Sequence, residues 1–200
     1  MKQVKFSGYF TEQVTKKQIY LHHTAGGGDG VNCFHGWNGG NIATCVAISR
    51  NGEIVQGFDS KYWAYHLGLK SAHFVGMPFI KLDKLSIGIE ICNWGFLTEK
   101  NGKFLNYLGK EVKDVCKLDK PYKGFTYFEN YTKEQIESTK QLLLLWEEKY
   151  GIDLTYNEDI WNVTKRALSG KNGVFTHNSV RKDKIDVYPH PDLISMLQSL

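Results

Sequence analysis

Three polar clusters stand at the ends of apolar runs, and each holds residue types able to do chemistry. The first is His22-His23 in KQIYLHHT, just before the glycine run Gly26-Gly27-Gly28. Adjacent residues on a strand point to opposite faces, so the two histidines cannot both face one site. A histidine where a strand meets a glycine loop is well placed to bind metal, although a lone one there is more often structural. The second cluster is THNSVRKDKIDVYPHP, residues 176–191, where His177 closes a short strand and a polar loop returns Lys184 and Asp186 with K-x-D spacing. The nine positions from His177 to Asp186 let a loop fold over and present both side chains to one ion. Two imidazoles and a carboxylate are a normal ligand set for catalytic zinc, which leaves a fourth position for a water of pKa roughly 7. The third element is Glu90, inside SIGIEIC. A carboxylate between Ile89 and Ile91 is costly to bury without a partner or a task. A structural lysine is one answer, and a general base beside a zinc site is the other.

Other chemistries lack their residues. The chain has no HExxH helix, no GxxxxGK[ST] loop and no GxSxG elbow, and Gly26–Gly28 lacks GxGxxG spacing. Cys33, Cys45, Cys92 and Cys116 are scattered without CxxC spacing, which supports neither a disulfide framework nor a cysteine zinc site. Read as free thiols, they imply folding in a reducing cytoplasm.

Several elements must position these clusters. Residues 17–24 read as a strand, and 31–38 as a short helix before Gly39-Gly40. Residues 43–58 read as a hairpin turning through Asn51-Gly52, a type I′ signal. SIGIEIC, 86–92, suits a buried central strand. Thr132 can cap a helix running through Tyr150, with Ile136, Leu142, Leu143 and Trp146 on one side and Gly151 as its stop. GVFTH, 173–177, is a further strand, and a last helix starts near Pro191. The expected fold is α/β (α+β), a single domain over residues 1–200 with a central mixed sheet flanked by helices. Residues 97–131, rich in Lys, Asn and aromatics, read as an insertion over one end of the sheet.

Two hundred residues suffice for one core without staples. The net charge of +4 comes without a Lys/Arg run, so nucleic acid is not an expected partner. No stretch has the apolar length of a signal peptide or membrane span, so a soluble, cytoplasmic product without a membrane partner is expected.

In combination the motifs resemble a family. YLHHTAGGG, the NGEIVQ hairpin, WAYHLG, LSIGIEICNWG and the H…K-x-D segment follow the order seen in type-2 N-acetylmuramoyl-L-alanine amidases. That family includes phage endolysins, cell-wall recycling amidases and animal peptidoglycan recognition proteins. The resemblance spans about 17–95 and 132–200. It implies one Zn2+ in a groove at the strand ends, held by His22, His177 and Asp186, with Asp183 the alternative third ligand. It implies Glu90 as catalytic base and Lys184 as the cation facing the oxyanion. One branch places a catalytic tyrosine where this chain has Thr44, and Glu90 makes it dispensable. Trp63, His66 and Asn93 fall where substrate is met, and His23 points into the body of the domain. The implied function is hydrolysis of the bond between N-acetylmuramic acid and L-alanine in peptidoglycan or muropeptides. An endolysin that reaches the wall after release, acting as a monomer, is expected, with a recycling amidase or a non-catalytic wall-binding module as alternatives.

Overall fold

The computed structural model of the protein describes residues 1–37 and 40–200. Its strands in chain order are β1 (Lys2–Gln3), β2 (Gln18–His23), β3 (Val46–Ile48), β4 (Ile54–Gln56), β5 (Ser86–Ile91), β6 (Phe96–Lys100), β7 (Lys103–Leu105), β8 (Val115–Tyr122), β9 (Phe125–Glu129) and β10 (Gly173–Thr176). The helices are α1 (Gly30–Gly36), α2 (Leu82–Leu85), α3 (Lys133–Tyr150), α4 (Lys165–Leu168) and α5 (Pro191–Gln198). The expected helix over 31–38 is therefore Gly30–Gly36, and residues 38 and 39 lie outside the described residues.

Six strands form a mixed sheet in the order β1-β4-β3-β5-β2-β10. Its centre is parallel: β2 lies between β5 and β10, and β5 also pairs parallel with β3. All six residues of β2 are buried, as in a parallel strand covered on both faces. Ile19, Leu21, Ile87, Ile89 and Phe175 fill the core with Leu142, Leu143 and Trp146 of α3. That helix begins where Thr132 accepts from Gln135 N–H while Gln135 reaches back to the Thr132 N–H, a reciprocal cap.

The 43–58 hairpin forms between β3 and β4, but not through the expected turn. Type I′ needs positive φ at both central residues, and here only Gly52 has it, at 81°. Gly52 N–H instead closes a turn on the Ser49 carbonyl at 2.9 Å, inside a longer loop closed by Ser49 N–H on Glu53 O. The segment singled out at 97–131 carries most of a second, antiparallel sheet, ordered β7-β6-β9-β8.

Candidate metal centre

Register brings the site together. His22 of β2 pairs beside Glu90 of β5, and Leu21 pairs beside Thr176, the last residue of β10. His177 follows Thr176, so it arrives at the level of His22 from the other side. The three groups lie at the carboxyl ends of neighbouring parallel strands, where open α/β sheets place their ligands. Asp186 returns from the following loop, held there by Asn178, whose Nδ2 donates to the carbonyls of Asp186 and Val187 at 3.0 and 2.9 Å.

The atoms converge closely. His22 Nδ1 and His177 Nδ1 are 3.1 Å apart, and Asp186 Oδ2 lies 3.2 and 2.9 Å from them. The hydrogen-bond network assigns the protons on both rings. Ser86 Oγ donates to the Leu82 carbonyl at 2.8 Å and so accepts from His66 Nε2–H, also at 2.8 Å. His66 Nδ1 is then an acceptor for His22 Nε2–H at 3.0 Å, which leaves the lone pair of His22 on Nδ1. His177 Nε2–H donates to the Leu67 carbonyl at 3.0 Å, so its lone pair is also on Nδ1. Burial, and after it the proximity of His177, hold His22 down to about 4, so its imidazole is neutral at neutral pH.

Two lone pairs and a carboxylate oxygen thus face one another. Such a set repels itself unless a cation sits among the three atoms. Two nitrogens and one oxygen suit zinc, with each histidine oriented through its far nitrogen. Among the described residues these three form the only such cluster of metal-ligand types. Asp183 is not part of it: it is exposed and engaged by Arg181 at 3.1 and 2.5 Å.

A groove of about 380 Å3 opens over the centre and is lined by His23, Thr24, Ala25, His66, Glu90, Trp94, Phe96, Tyr107, Asp183, Lys184 and Ile185 as well as the His22–His177–Asp186 cluster. Burial first, then the Asp186 charge, raise the Glu90 pKa well above the usual carboxylate range. His23, the next residue on β2, also borders the groove and meets the Tyr131 hydroxyl at 3.0 Å. Thr44 is buried and its hydroxyl donates to the Val46 carbonyl at 2.8 Å.

Two of the three residues expected to meet substrate sit otherwise. Trp63 is outside the groove: its ring stacks on Phe10 at 4.1 Å and its N–H donates to Glu12 at 3.2 Å. Asn93 is fully buried, giving Nδ2 to the carbonyls of Glu129 and Asn130 and taking Gly95 N–H on Oδ1. It pins the end of β5 to the end of β9, so its amide has no group left for a substrate. His66 does line the groove, and its two ring nitrogens meet His22 and Ser86. Gly88 makes room for it, since a Cβ there would stand 3.1 Å from His66 Nδ1 and 2.6 Å from Thr44 Cγ2. Trp94, which with Asn93 follows Glu90 at the strand end where the sequence reading expects the peptide stem, lines the groove, and so does Tyr107, which that reading does not single out. Continuing the alternation from Glu90 points to Trp94 in place of Asn93, whereas no local signal marks Tyr107.

Solved structures share this arrangement of sheet and helices. PlyL matches with a TM-score of 0.57 and 13% identity over 99% of this chain and 96% of that one. AmpD matches at 0.54 and 15% identity, over 98% and 93%. The N-acetylmuramyl-L-alanine amidase AmiD from E. coli, solved with anhydro-N-acetylmuramic acid-L-Ala-D-gamma-Glu-L-Lys, matches at 0.55 and 17% identity, over 93% of this chain and 59% of that one. At such identities the likeness is one of fold, and the fold is that of the type-2 amidases. No curated protein matches the sequence. The sequence pattern of the N-acetylmuramoyl-L-alanine amidases matches residues 12–191, and the chain belongs to that family.

Proposed function

We propose that this protein is a zinc-dependent N-acetylmuramoyl-L-alanine amidase that degrades wall peptidoglycan in the manner of an endolysin. The observation that carries the reading is the three-acceptor cluster of His22, His177 and Asp186 beside Glu90 in a single groove. His22, His177 and Asp186 would hold a zinc ion, which when bound would supply Lewis-acid polarisation of the lactyl carbonyl and a lowered pKa for water. Glu90 takes the proton of the attacking water and returns it to the nitrogen of L-alanine as the C–N bond breaks. Its raised pKa suits a group that must hold the proton until the nitrogen accepts it. Lys184 lines the same groove and offsets the negative charge that develops on the carbonyl oxygen. His66 and Leu67 contribute by holding the two imidazoles in the tautomer that leaves both Nδ1 lone pairs inward.

The test is digestion of purified peptidoglycan by zinc-loaded protein and by Glu90→Gln, with products read by mass spectrometry. The variant is expected to retain zinc and to lose roughly 10²–10⁴-fold in rate. Free stem peptides beginning with L-alanine, from the wild type alone, support the reading. Released disaccharides would place the cut at another bond, and intact wall that retains the protein would make this a binding module. Action on soluble muropeptides but not on whole wall would favour the recycling role.

A further inference from the structure

Cys33 on α1 and Cys92, one residue beyond β5, bring their sulfurs to 3.8 Å although 59 positions separate them in sequence. The other two cysteines are placed differently: Cys45 is buried with its thiol on the Gly88 carbonyl at 3.7 Å, and Cys116 lies on β8. We infer that Cys33 and Cys92 are a disulfide-forming pair, oxidised when the folded protein meets a small-molecule disulfide.

The two thiols have complementary exposure. Cys33 is partly exposed and open to reagent, whereas Cys92 is buried behind it. Closing the bond requires an S–S length near 2.05 Å, so the sulfurs approach by rather less than 2 Å. Cys33 thiolate attacks the reagent disulfide, bonds to one of its sulfurs and releases the other half as a thiol. The Cys92 thiol then loses its proton and attacks Cys33 Sγ, expelling the second half. Two protein thiols give up two protons and two electrons, and the reagent takes them up as two thiols. The thiol contact to Cys92, and after it burial, push the Cys33 pKa up, which makes the first step slow.

The bond would tie α1 to the end of the strand that carries Glu90. It would also anchor the far end of the 24–29 loop, whose Thr24 and Ala25 line the groove. A cross-link across so many residues restrains the unfolded chain and stabilises the folded one. None of this depends on the amidase reading.

The experiment uses the full chain, purified reduced and then incubated with oxidised glutathione. Remaining thiols are alkylated, peptides are mapped without reduction, and thermal unfolding is compared with that of the reduced protein. The expected result is a peptide joining Cys33 to Cys92, with Cys45 and Cys116 alkylated and the melting temperature raised by several degrees. Cys33→Ser should lack both the cross-link and the rise. Glutathione retained on Cys33, or a link to Cys116 or between molecules, would each overturn the inference, and a Cys33–Cys92 bond without a rise in melting temperature would bear out the pairing while overturning its stabilising effect. The peptide map is read on the unaltered chain, so it decides even if the variant fails to fold.

Discussion

The groove has a floor and a wall built on opposite rules. The floor is the carboxyl ends of β2, β5 and β10, parallel strands that are apolar and buried in their middles and carry polar side chains towards their ends. The wall is the antiparallel second sheet with Trp94 and Tyr107 at its edge. In β8 only Leu118 is buried, and Tyr107 stands 60% exposed. Chemistry needs donors fixed to within a fraction of an ångström, which a packed, hydrogen-bonded framework supplies. Recognition of a long polymer tolerates exposed, adaptable contacts. The floor is therefore expected to decide whether the reaction occurs, and the wall what is presented to it.

Breaking a ligand tests this most severely. His177→Ala should abolish zinc binding, measured as metal content after dialysis, and with it all amidase activity. Retention of stoichiometric zinc would remove the floor from the chemistry.

Acid separates the two regions next. Burial is the first cause holding both His22 and His23 down to about 4, against about 6.5 in an unfolded chain. As pH falls below 6.5 the unfolded chain takes up protons that the folded one refuses. Each histidine thus contributes stability that is complete above pH 6.5 and lost as pH falls towards 4. For the metal-free protein the loss is on the order of 3 kcal/mol per histidine. Residues 96–129 contain no histidine. Denaturant unfolding at pH 7 and pH 4.5, with hydrogen exchange read strand by strand, should show the ends of β2 and β10 opening first. Equal loss of protection in β8 and β9 would contradict the separation.

A subtler change acts through the ring orientation. Ser86→Ala removes the group that fixes His66 and through it His22. Zinc affinity, measured by chelator competition, should fall about 10–100-fold, as for other groups that orient a metal ligand. Unchanged affinity would leave the His22–His66–Ser86 chain a packing feature. The smallest effect belongs to the wall: Tyr107→Ala should raise KM for peptidoglycan a few-fold with kcat unchanged. Its cost in stability should stay within about 0.5 kcal/mol, as for an exposed position. A large fall in kcat would show that wall and floor are not separable.

Much of the floor was legible in the sequence because its signals are local. The runs 18–23, 86–91 and 173–176 are apolar enough to be buried strands, and Thr132 and Gly151 mark the ends of α3. Glu90 stood out because a carboxylate among isoleucines needs a reason. The wall was hard to read because half-exposed antiparallel strands such as β8 carry a weak hydrophobic pattern. The positive-φ positions Asn101, Gly102, Lys123 and Gly124 mark turns only once their partners are known.

By itself, then, the sequence determined the buried strands, the helix caps and the residue types that gather in the groove, because periodicity, capping and desolvation act within a few residues. Only the tertiary structure decided that Asp186 joins His22 and His177 while Asp183 pairs with Arg181. It alone made Asn93 a clasp and Trp94 a groove residue, turned His66 onto His22, and set Cys33 against Cys92. Those outcomes depend on parallel register and on loops closing between residues far apart along the chain, and no local pattern encodes which distant atoms will meet.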